Sequence, residues 1–207
     1  MSDTTGAIAD DQESLEATIK DEVLRMYQEV ADHPENDFHF FHGREAAEMF
    51  GYEAEWLDRA PEGSVASFAG VGNPHLRSNI QPGATVLDLG SGAGLDSIIA
   101  SWQAGPNGKA IGVDLNPNMC LKAQAHAAAS GTAMECHEGR MEDIPLPGGS
   151  VDVVISNGVI NLSFRKRRVI EELFRVLTPG GRISITDIVS ARKLSPDIVN
   201  DPKLWAS

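Results

Sequence analysis

The sequence predicts an α/β fold in which a doubly wound parallel sheet carries helices on both faces. From residue 85 onward, short apolar runs alternate with stretches of helical periodicity, and turns rich in glycine and proline separate them. One run, Val151–Ser156, is apolar without alternation, as is typical of a strand buried on both faces. Another run ends in closely spaced glycines that open a helix. Together these observations predict a Rossmann-like sheet, with any ligand at the carboxyl ends of its strands.

The N-terminal part of the chain is predicted to be helical. Residues 1–12 are small, polar and acidic, which favours a disordered tail. Apolar residues between Leu15 and Val30 then recur at three- and four-residue steps, the spacing of an amphipathic helix. We interpret residues 13–80 as a helical lid and residues 81–207 as the core domain. The helices expected in the lid are Leu15–Ala31, Arg44–Phe50, Glu53–Arg59 and a brief helix before Ile80.

Five strands and three helices are predicted for the core domain. Asn116–Pro117 favours a helix start, because proline suits the first helical turn. In the last helix, Ile170, Phe174 and Leu177 form one apolar stripe, and the turn Pro179–Gly181 follows it. The predicted strands are Thr85–Leu89, Lys109–Val113, Ala133–His137, Val151–Ser156 and Arg182–Ile188, and the helices are Leu95–Gln103, Asn118–Ala129 and Arg167–Leu177.

The run Val86–Asp96 carries the strongest functional signal in the chain. Its strand contains Asp88 and is followed by a glycine turn (Gly90–Gly94) in which every second residue is glycine. Such a turn lets backbone N–H groups and a helix N-terminus approach a ligand closely. A second strand ends in Asp114, and an acid at this point accepts the hydroxyl protons of a ribose. The two features together predict a nucleoside-containing cofactor.

A dinucleotide is not the ligand that this turn favours. The dinucleotide fingerprint needs a small residue three positions after its second glycine, where this chain has Leu95. Asp88 also adds a negative charge, which repels a pyrophosphate and suits a cationic ligand with an amine and a sulfonium.

Residues 84–188 resemble the class I methyltransferases that use S-adenosylmethionine. The resemblance implies that the loop after the third strand covers the adenine, and that Asn157 contacts the methionine moiety. Arg140 stands where these enzymes usually have an acid, so Met141 is expected to pack on the ring and Glu142 to supply the acceptor. The cofactor-binding residues that the resemblance implies are Asp88, Gly90, Ser91, Gly92, Gly94, Asp114, Leu115, Arg140, Met141, Glu142 and Asn157.

Four segments resemble the arsenite methyltransferases in particular: Phe68–Pro74, Val86–Asp96, Val151–Leu162 and Asn200–Ala206. Arsenic(III) is a soft centre that binds cysteine thiolates, and the resemblance implies a cysteine in two of these segments. In this chain Val71 and Gly158 stand at those positions. We therefore expect a relative that keeps the cofactor site and has no arsenic site.

Composition limits the classes of binding partner and the cellular compartment that can be expected. A net charge of −13 disfavours a nucleic-acid partner, and no apolar stretch reaches the roughly 18–20 residues of a membrane span. The two cysteines, Cys120 and Cys136, predict buried thiols and no disulfide framework. No metal site is expected, since His39 and His42 have no further ligands clustered near them in the sequence. The cytoplasm is the expected compartment.

Three functions remain open. The leading one is methyl transfer to a small-molecule acceptor, with Tyr27, His39 and His42 as the acceptor-side groups that can be named. The second is a binding protein that holds the cofactor or a partner chain without turnover, which the missing cysteines and Arg140 favour. The third is a dehydrogenase. Neither the acceptor nor the catalytic residues follow from the sequence.

The predicted sheet lacks the two further strands that usually complete a class I methyltransferase sheet. Arg182–Ile188 would then be an unprotected edge, and such an edge invites pairing. We expect a homodimer through this edge, or N-terminal helices that fold over it, or a chain that is a piece of a longer protein.

Overall fold

The structure, a computed structural model, describes residues 4–33, 36, 38–192, 194, 195, 198 and 201; for residues 4–14, 16 and 31 it describes the backbone alone. The helices are α1 (Thr4–Asp32), α2 (Gly43–Met49), α3 (Ala54–Arg59), α4 (Glu62–Ala66), α5 (His75–Ser78), α6 (Leu95–Ala104), α7 (Pro117–Ala129) and α8 (Lys166–Val176). The strands are β1 (Thr85–Leu89), β2 (Lys109–Asp114), β3 (Met134–Glu138), β4 (Val151–Asn157) and β5 (Leu177–Thr186). Among the described helices, none combines the length and the apolar composition that a membrane span requires.

The five strands form one parallel sheet in the order β3-β2-β1-β4-β5. Central β1 pairs with β2 on one side and β4 on the other, with Asp88 opposite Gly112 and Ile155. The strand order therefore reverses at β1, and a crevice forms there beyond the carboxyl ends of the strands. This arrangement confirms the predicted doubly wound α/β fold.

Alternate residues of the central strand face opposite layers of helices. Val86 shares an apolar cluster with Ala100 of α6, whereas Leu87 shares one with Leu173 of α8. All four side chains are fully buried. Because both faces of β1 and β4 are covered, most residues of these strands are apolar, which explains their lack of polar alternation.

The segment from α2 to α4 packs directly on the core. Ala46 and Leu57 of this segment, and Phe68 just after it, share a buried cluster with Leu95 and Ile99 of α6. The helix α4 lies in a stretch for which the sequence predicted no helix. Its five residues are too few for a periodic pattern, and it is stabilised by the packing of Val65 in this cluster and by the hydrogen bond of the buried Ser64 hydroxyl to the Pro61 carbonyl.

Two elements differ in extent from the prediction. The helix α1 already begins at Thr4, so residues 4–12, for which a disordered tail was expected, are helical. Apart from Gly6 this stretch holds no residue that disfavours a helix strongly. Residues 1–3 of the expected tail, and all of the Asn200–Ala206 motif except Asp201, lie outside the described residues.

The strand β5 begins at Leu177, whereas the prediction began it at Arg182 and ended it at Ile188. The predicted turn Pro179–Gly181 is therefore part of the strand. Gly180 has a φ of +85°, and the pairing with β4 shifts register near Val151, so the turn signal marks an irregularity within the strand.

Candidate functional site

A cavity of about 1050 Å³ opens at the carboxyl ends of the strands. The glycine turn, the residues that follow β2, β3 and β4, and one side of α1 form its wall. Its volume lies at the upper end of the range for small-molecule and cofactor sites. The structure brings together on this wall Gly90, Ser91, Gly92, Gly94, Asp114, Leu115, Arg140, Met141, Glu142 and Asn157, which are all of the predicted cofactor-binding residues except Asp88.

The glycine turn requires glycine for conformational and steric reasons. Gly90, Gly92 and Gly94 have φ values of +76°, +49° and +92°, a region that side chains disfavour. A Cβ on Gly90 would lie 2.3 Å from Cγ2 of Val159, whereas a Cβ on Gly92 would meet nothing within 4 Å. The space beside Gly92 therefore stays open, and its backbone is accessible from the cavity.

Asp114 lies at the end of β2, beside this turn. Its Oδ2 accepts a hydrogen bond from the N–H of Gly92 at 2.8 Å, and its Oδ1 accepts one from Asn116 at 2.9 Å. Burial raises the pKa of the Asp114 carboxyl, while these backbone donors act in the opposite direction. Each oxygen retains a lone pair, so the carboxylate can accept ribose hydroxyls without losing its backbone donors.

Asp88 lies behind the glycine turn and not on the cavity wall. It is buried, and its Oδ2 accepts a hydrogen bond from the Ser97 hydroxyl at 2.6 Å. Burial, followed by the negative charge of Asp96, raises the pKa of Asp88 well above its usual range. Asp88 thus connects β1 to the first turn of α6, and its direct contact with a cofactor stays a prediction.

The loop after β3 forms the side of the cavity where the resemblance implies the adenine. Met141 lines this side and packs against the apolar cluster beneath α8. Glu142 accepts a hydrogen bond from the Ser163 hydroxyl at 2.6 Å, and its other oxygen lies 3.5 Å from Nε of Arg140. Both oxygens of Glu142 are therefore already engaged, and half-exposed Arg140 offsets the negative charge of its neighbour.

Asn157 joins three segments at the end of β4. Its Oδ1 accepts hydrogen bonds from the backbone N–H groups of Val71 and Gly72, at 2.9 and 3.2 Å, and from the Thr186 hydroxyl at 2.8 Å. Its Nδ2 donates to the Gly72 carbonyl at 2.9 Å and to Asp96 at 3.2 Å. The amide thus holds the segment around Val71 and the end of β5 against the cavity wall.

Sequence reasoning missed a buried polar network around Asp96, in the first turn of α6. Tyr52 donates its hydroxyl to Oδ1 of Asp96 at 2.5 Å, and Nε2 of His75 lies 3.0 Å from the same oxygen. Burial, and then the charge of Asp96, raises the pKa of Tyr52 well above its usual value, so the hydroxyl stays a donor. An acid just after the glycine turn was the available signal, but its partners lie 44 and 21 residues away in sequence.

The helix α1 covers one side of the cavity and is attached to the start of α7. The side-chain amides of Asn116 and Asn118 donate to Oε1 of Gln28 at 2.9 and 3.1 Å. Lys122 of α7 pairs with Asp32 at 2.6 Å. Because Asn116 also accepts from the N–H of Asn118 at 2.9 Å, the same residues begin α7 and hold α1.

Of the three acceptor-side groups that the sequence suggested, the structure places one at the cavity. Tyr27 of α1 lines the wall. The described residues of the wall do not include His39 or His42, and the His42 ring instead contacts the rings of Phe38 and Phe40.

Val71 and Gly158, the positions at which the resemblance implies thiolates, lie against each other. A Cβ on Gly158 would be 3.2 Å from Cγ1 of Val71. Cys120 and Cys136 are free, buried and packed together elsewhere, with Sγ of Cys136 3.4 Å from the Ser91 hydroxyl. Among the described residues, none supplies a thiol to the cavity wall.

Known proteins similar in sequence share the core of this chain. The family described as Methyltransferase domain matches residues 80–207, which include every predicted cofactor-binding residue. The arsenite methyltransferase of Halobacterium salinarum is 41% identical over 157 residues, which cover 75% of this chain and 40% of that protein. The arsenite methyltransferase of Aquipseudomonas alcaligenes is 37% identical over 131 residues, which cover 59% of this chain and 38% of that protein.

A solved structure shows the same architecture. The chain is similar to CrArsM, an arsenic(III) S-adenosylmethionine methyltransferase from Chlamydomonas reinhardtii, with a TM-score of 0.60 and 34% identity. The similarity covers 77% of this chain and 52% of that chain. The chain therefore spans about two-fifths of the length of the two curated relatives and about half of the solved structure.

Proposed function

This chain belongs to the S-adenosylmethionine-dependent methyltransferases, and from that premise we propose that it transfers a methyl group from S-adenosylmethionine to a small-molecule acceptor. The observation that carries the proposal is the large cavity at the carboxyl ends of the strands. The glycine turn and Asp114 line this cavity, and so do Tyr27 and Gly158, which offer surface to a second substrate.

The residues of the cavity fit S-adenosylmethionine. Asp114 offers carboxylate lone pairs to ribose hydroxyls, and the open backbone at Gly92 leaves room for a close approach. Val113, Leu115 and Met141 offer apolar surface to a flat ring. When bound, S-adenosylmethionine supplies an electrophilic methyl group on a positively charged sulfonium.

The contribution of the protein is positioning and the exclusion of water. Transfer by in-line displacement needs the nucleophile of the acceptor directly behind the methyl carbon, so the walls must hold both molecules in one geometry. The helix α1 covers the cavity on one side, and Asn157 holds the segment around Val71 on another. The proposal assigns no covalent or acid–base role to any of these residues.

Arsenite is not the acceptor that we propose. Soft arsenic(III) requires thiolates, and the paired positions Val71 and Gly158 supply only methyl groups and backbone. Incubation of the protein with S-adenosylmethionine, arsenite and a thiol is expected to give no methylated arsenic. Clear turnover to methylated arsenic would contradict this expectation.

A binding protein without turnover is the second candidate. The apolar contact between Val71 and Gly158 favours it, and so does the engagement of Glu142 by Ser163 and Arg140. Binding of the cofactor alone would not distinguish this candidate from an enzyme. An acceptor screen with an isotopically labelled methyl group separates the two, since only an enzyme transfers the label.

Calorimetric titration tests the cofactor itself. We expect S-adenosylmethionine and S-adenosylhomocysteine to bind and NAD not to bind. Preferential binding of NAD would favour the dehydrogenase and overturn the proposal. The proposed compartment is the cytoplasm, with neither nucleic acid nor a membrane as partner; the free state of both cysteines and the net charge of −13 support this assignment.

A further inference from the structure

A second, smaller cavity lies beside the one described above. Its volume of about 180 Å³ corresponds to about six molecules of liquid water. Four aromatic residues, Tyr27, Phe40, Phe41 and Phe50, line this aromatic pocket together with Val71 and Gly158. Tyr27 and Gly158 also line the large cavity, so the two spaces share part of their walls.

An acidic residue, Asp187, borders the aromatic pocket. Asp187 accepts hydrogen bonds from the backbone N–H groups of two wall residues, Asn161 at 3.1 Å and Ile188 at 2.7 Å. Burial raises the pKa of Tyr27 to about 12, and the charges of Asp114 and Asp187 act in the same direction. The carboxylate of Asp187 at the border of the pocket attracts a cation, and the ammonium of Lys166 offsets part of this attraction.

The pocket wall offers no base at neutral pH among the described residues. Among the described wall residues, Tyr27 and Asn161 have a polar group on the side chain, and the others contribute aromatic, aliphatic or backbone atoms. The Tyr27 phenol stays protonated at this pH. The Asn161 amide, oriented to satisfy both neighbours, donates to the Gly158 carbonyl at 3.2 Å and to Asp187 at 2.9 Å. The ammonium of nearby Lys166 donates to the carbonyl of Asn161 at 2.9 Å.

We propose that the aromatic pocket is the acceptor subsite, and that its acceptor is a small tertiary amine, which leaves as a quaternary ammonium. The inference rests on the methyl transfer proposed above. A tertiary amine needs no base on the protein, because its free form arises by proton exchange with bulk water and the transfer itself releases no proton.

The step balances in atoms and charge. The nitrogen lone pair forms the new N–C bond while the C–S bond of the sulfonium breaks, and the electron pair of that bond stays on sulfur. Sulfur becomes the neutral thioether of S-adenosylhomocysteine, and the single positive charge passes to nitrogen. Aromatic faces attract such a cation through their quadrupoles, and Asp187 adds to this attraction.

Binding of a product-like quaternary ammonium to the pocket gives a test that does not depend on turnover. Choline and 3,3-dimethylbutan-1-ol have the same shape and differ in the charged nitrogen alone. With S-adenosylhomocysteine present, we expect calorimetry to show choline binding about tenfold more tightly than the alcohol, the scale of a partly desolvated cation–π contact. Equal binding, or tighter binding of the alcohol, would overturn the proposal.

Variants of exposed aromatic residues show whether the rings of the pocket carry this preference. Phe41 is 66% exposed, so Phe41→Leu removes a ring without opening a buried void. We expect it to reduce the preference for choline severalfold. Phe174→Leu is the matched control, because Phe174 is 72% exposed on α8 and outside the described pocket wall. A preference that Phe41→Leu leaves unchanged counts against the aromatic pocket as the site.

A turnover assay separates this inference from the proposed function. With S-adenosylmethionine and N,N-dimethylethanolamine, we expect mass spectrometry to detect choline. Selective binding of choline, with no methyl transfer to dimethylethanolamine or to any other compound of the acceptor screen, would keep the ammonium site and overturn the proposed transfer. Methylation of thiols or thioethers, but not of tertiary amines, would keep the transfer and overturn the acceptor class.

Discussion

Asp88 and Asp114 lie on neighbouring strands, but their carboxylate oxygens differ in how accessible they are from the cavity. Asp114 is at the cavity and accepts two backbone N–H groups. Asp88 is two positions further into the sheet in register, and its side chain is buried. At the scale of the residue, the first is suited to recognise a ligand and the second to support the turn from behind.

We expect Asp114→Asn to raise the dissociation constant of S-adenosylmethionine about 10- to 100-fold. An asparagine amide turns an NH₂ group toward one of the two backbone donors, and a hydrogen bond to a charged acceptor is worth about 1.5–3 kcal/mol. Calorimetry measures the change.

Asp152→Asn is the matched control for this prediction. Asp152 also accepts a backbone N–H, from Thr85 at 2.9 Å, but at the start of β1 and away from the cavity. An unchanged dissociation constant in Asp114→Asn would show that the Asp114 carboxylate does not contribute to the binding of S-adenosylmethionine.

The raised pKa of Asp88 predicts a pH dependence of stability. The folded chain holds a proton on this carboxyl that the unfolded chain releases near pH 4. The contribution of Asp88 to the free energy of unfolding is therefore full below about pH 4 and declines as the pH rises. Asp88→Asn should remove this decline, so that the stability of the variant relative to the wild type increases from pH 4 to pH 7. Urea denaturation from pH 4 to pH 7 measures the free energy of unfolding of both proteins. A difference between them that stays constant or falls as the pH rises would refute the prediction.

At the scale of the element, polar contacts from its described C-terminal half attach α1 to the core. Gln28 accepts two amide donors from the start of α7, and the Lys122–Asp32 pair lies at the C-terminal end of the helix. Ile19 and Val30 are its described apolar residues that are fully buried. Tyr27 also packs against Ala93 and Met119, so the described C-terminal half of the helix contacts both the glycine turn and α7.

We expect Gln28→Ala to increase the hydrogen-exchange rates of α1 amides and to weaken S-adenosylmethionine binding severalfold, because two amide donors on α7 lose their acceptor. The global free energy of unfolding should change by less than about 1 kcal/mol, since the core strands are not involved. The control is Arg25→Ala, which removes ion pairs to Glu22 and Glu29 that lie within α1. Equal exchange in both variants would argue against Gln28 as the attachment.

At the scale of the whole molecule, β5 is an edge of the sheet formed by the described residues. The segment before α5 reaches one face of this strand, where the Ser184 hydroxyl donates to the Pro74 carbonyl at 2.7 Å. Ile183 and Ile185 remain 37% exposed. An edge with exposed isoleucines is suited to pair with another strand.

We therefore expect self-association through β5. The double substitution Ile183→Lys and Ile185→Lys should shift the protein to a monomer in sedimentation equilibrium, because lysines on an edge oppose strand pairing. Leu121→Lys serves as the control, since Leu121 is equally apolar and 64% exposed but lies on α7. A wild-type protein that stays monomeric at high concentration would disprove the pairing.

The predicted part of the site consists of local signals. Alternating elements, glycines at 90, 92 and 94 and an acid at the end of β2 are each encoded within a few neighbouring residues. Strand and helix bounds came within a few residues for the core, except at Pro179–Gly181, where the same residues favour a turn and an irregular strand. Asp96, Tyr52 and His75 could not be predicted together, because nothing local links residues so far apart in sequence.

By itself the sequence determined the fold class, the glycine turn with the acid at the end of β2, and the absence of cysteine at Val71 and Gly158. Periodicity and glycine spacing carry that information because short-range sterics and burial act on neighbouring residues. Only the tertiary structure decided that Asp88 lies behind the cavity wall and that the Asn157 amide hydrogen-bonds to other protein groups. It also decided that aromatic residues lie beside Gly158. These features depend on contacts between distant segments, which form only when the sheet and its helices pack.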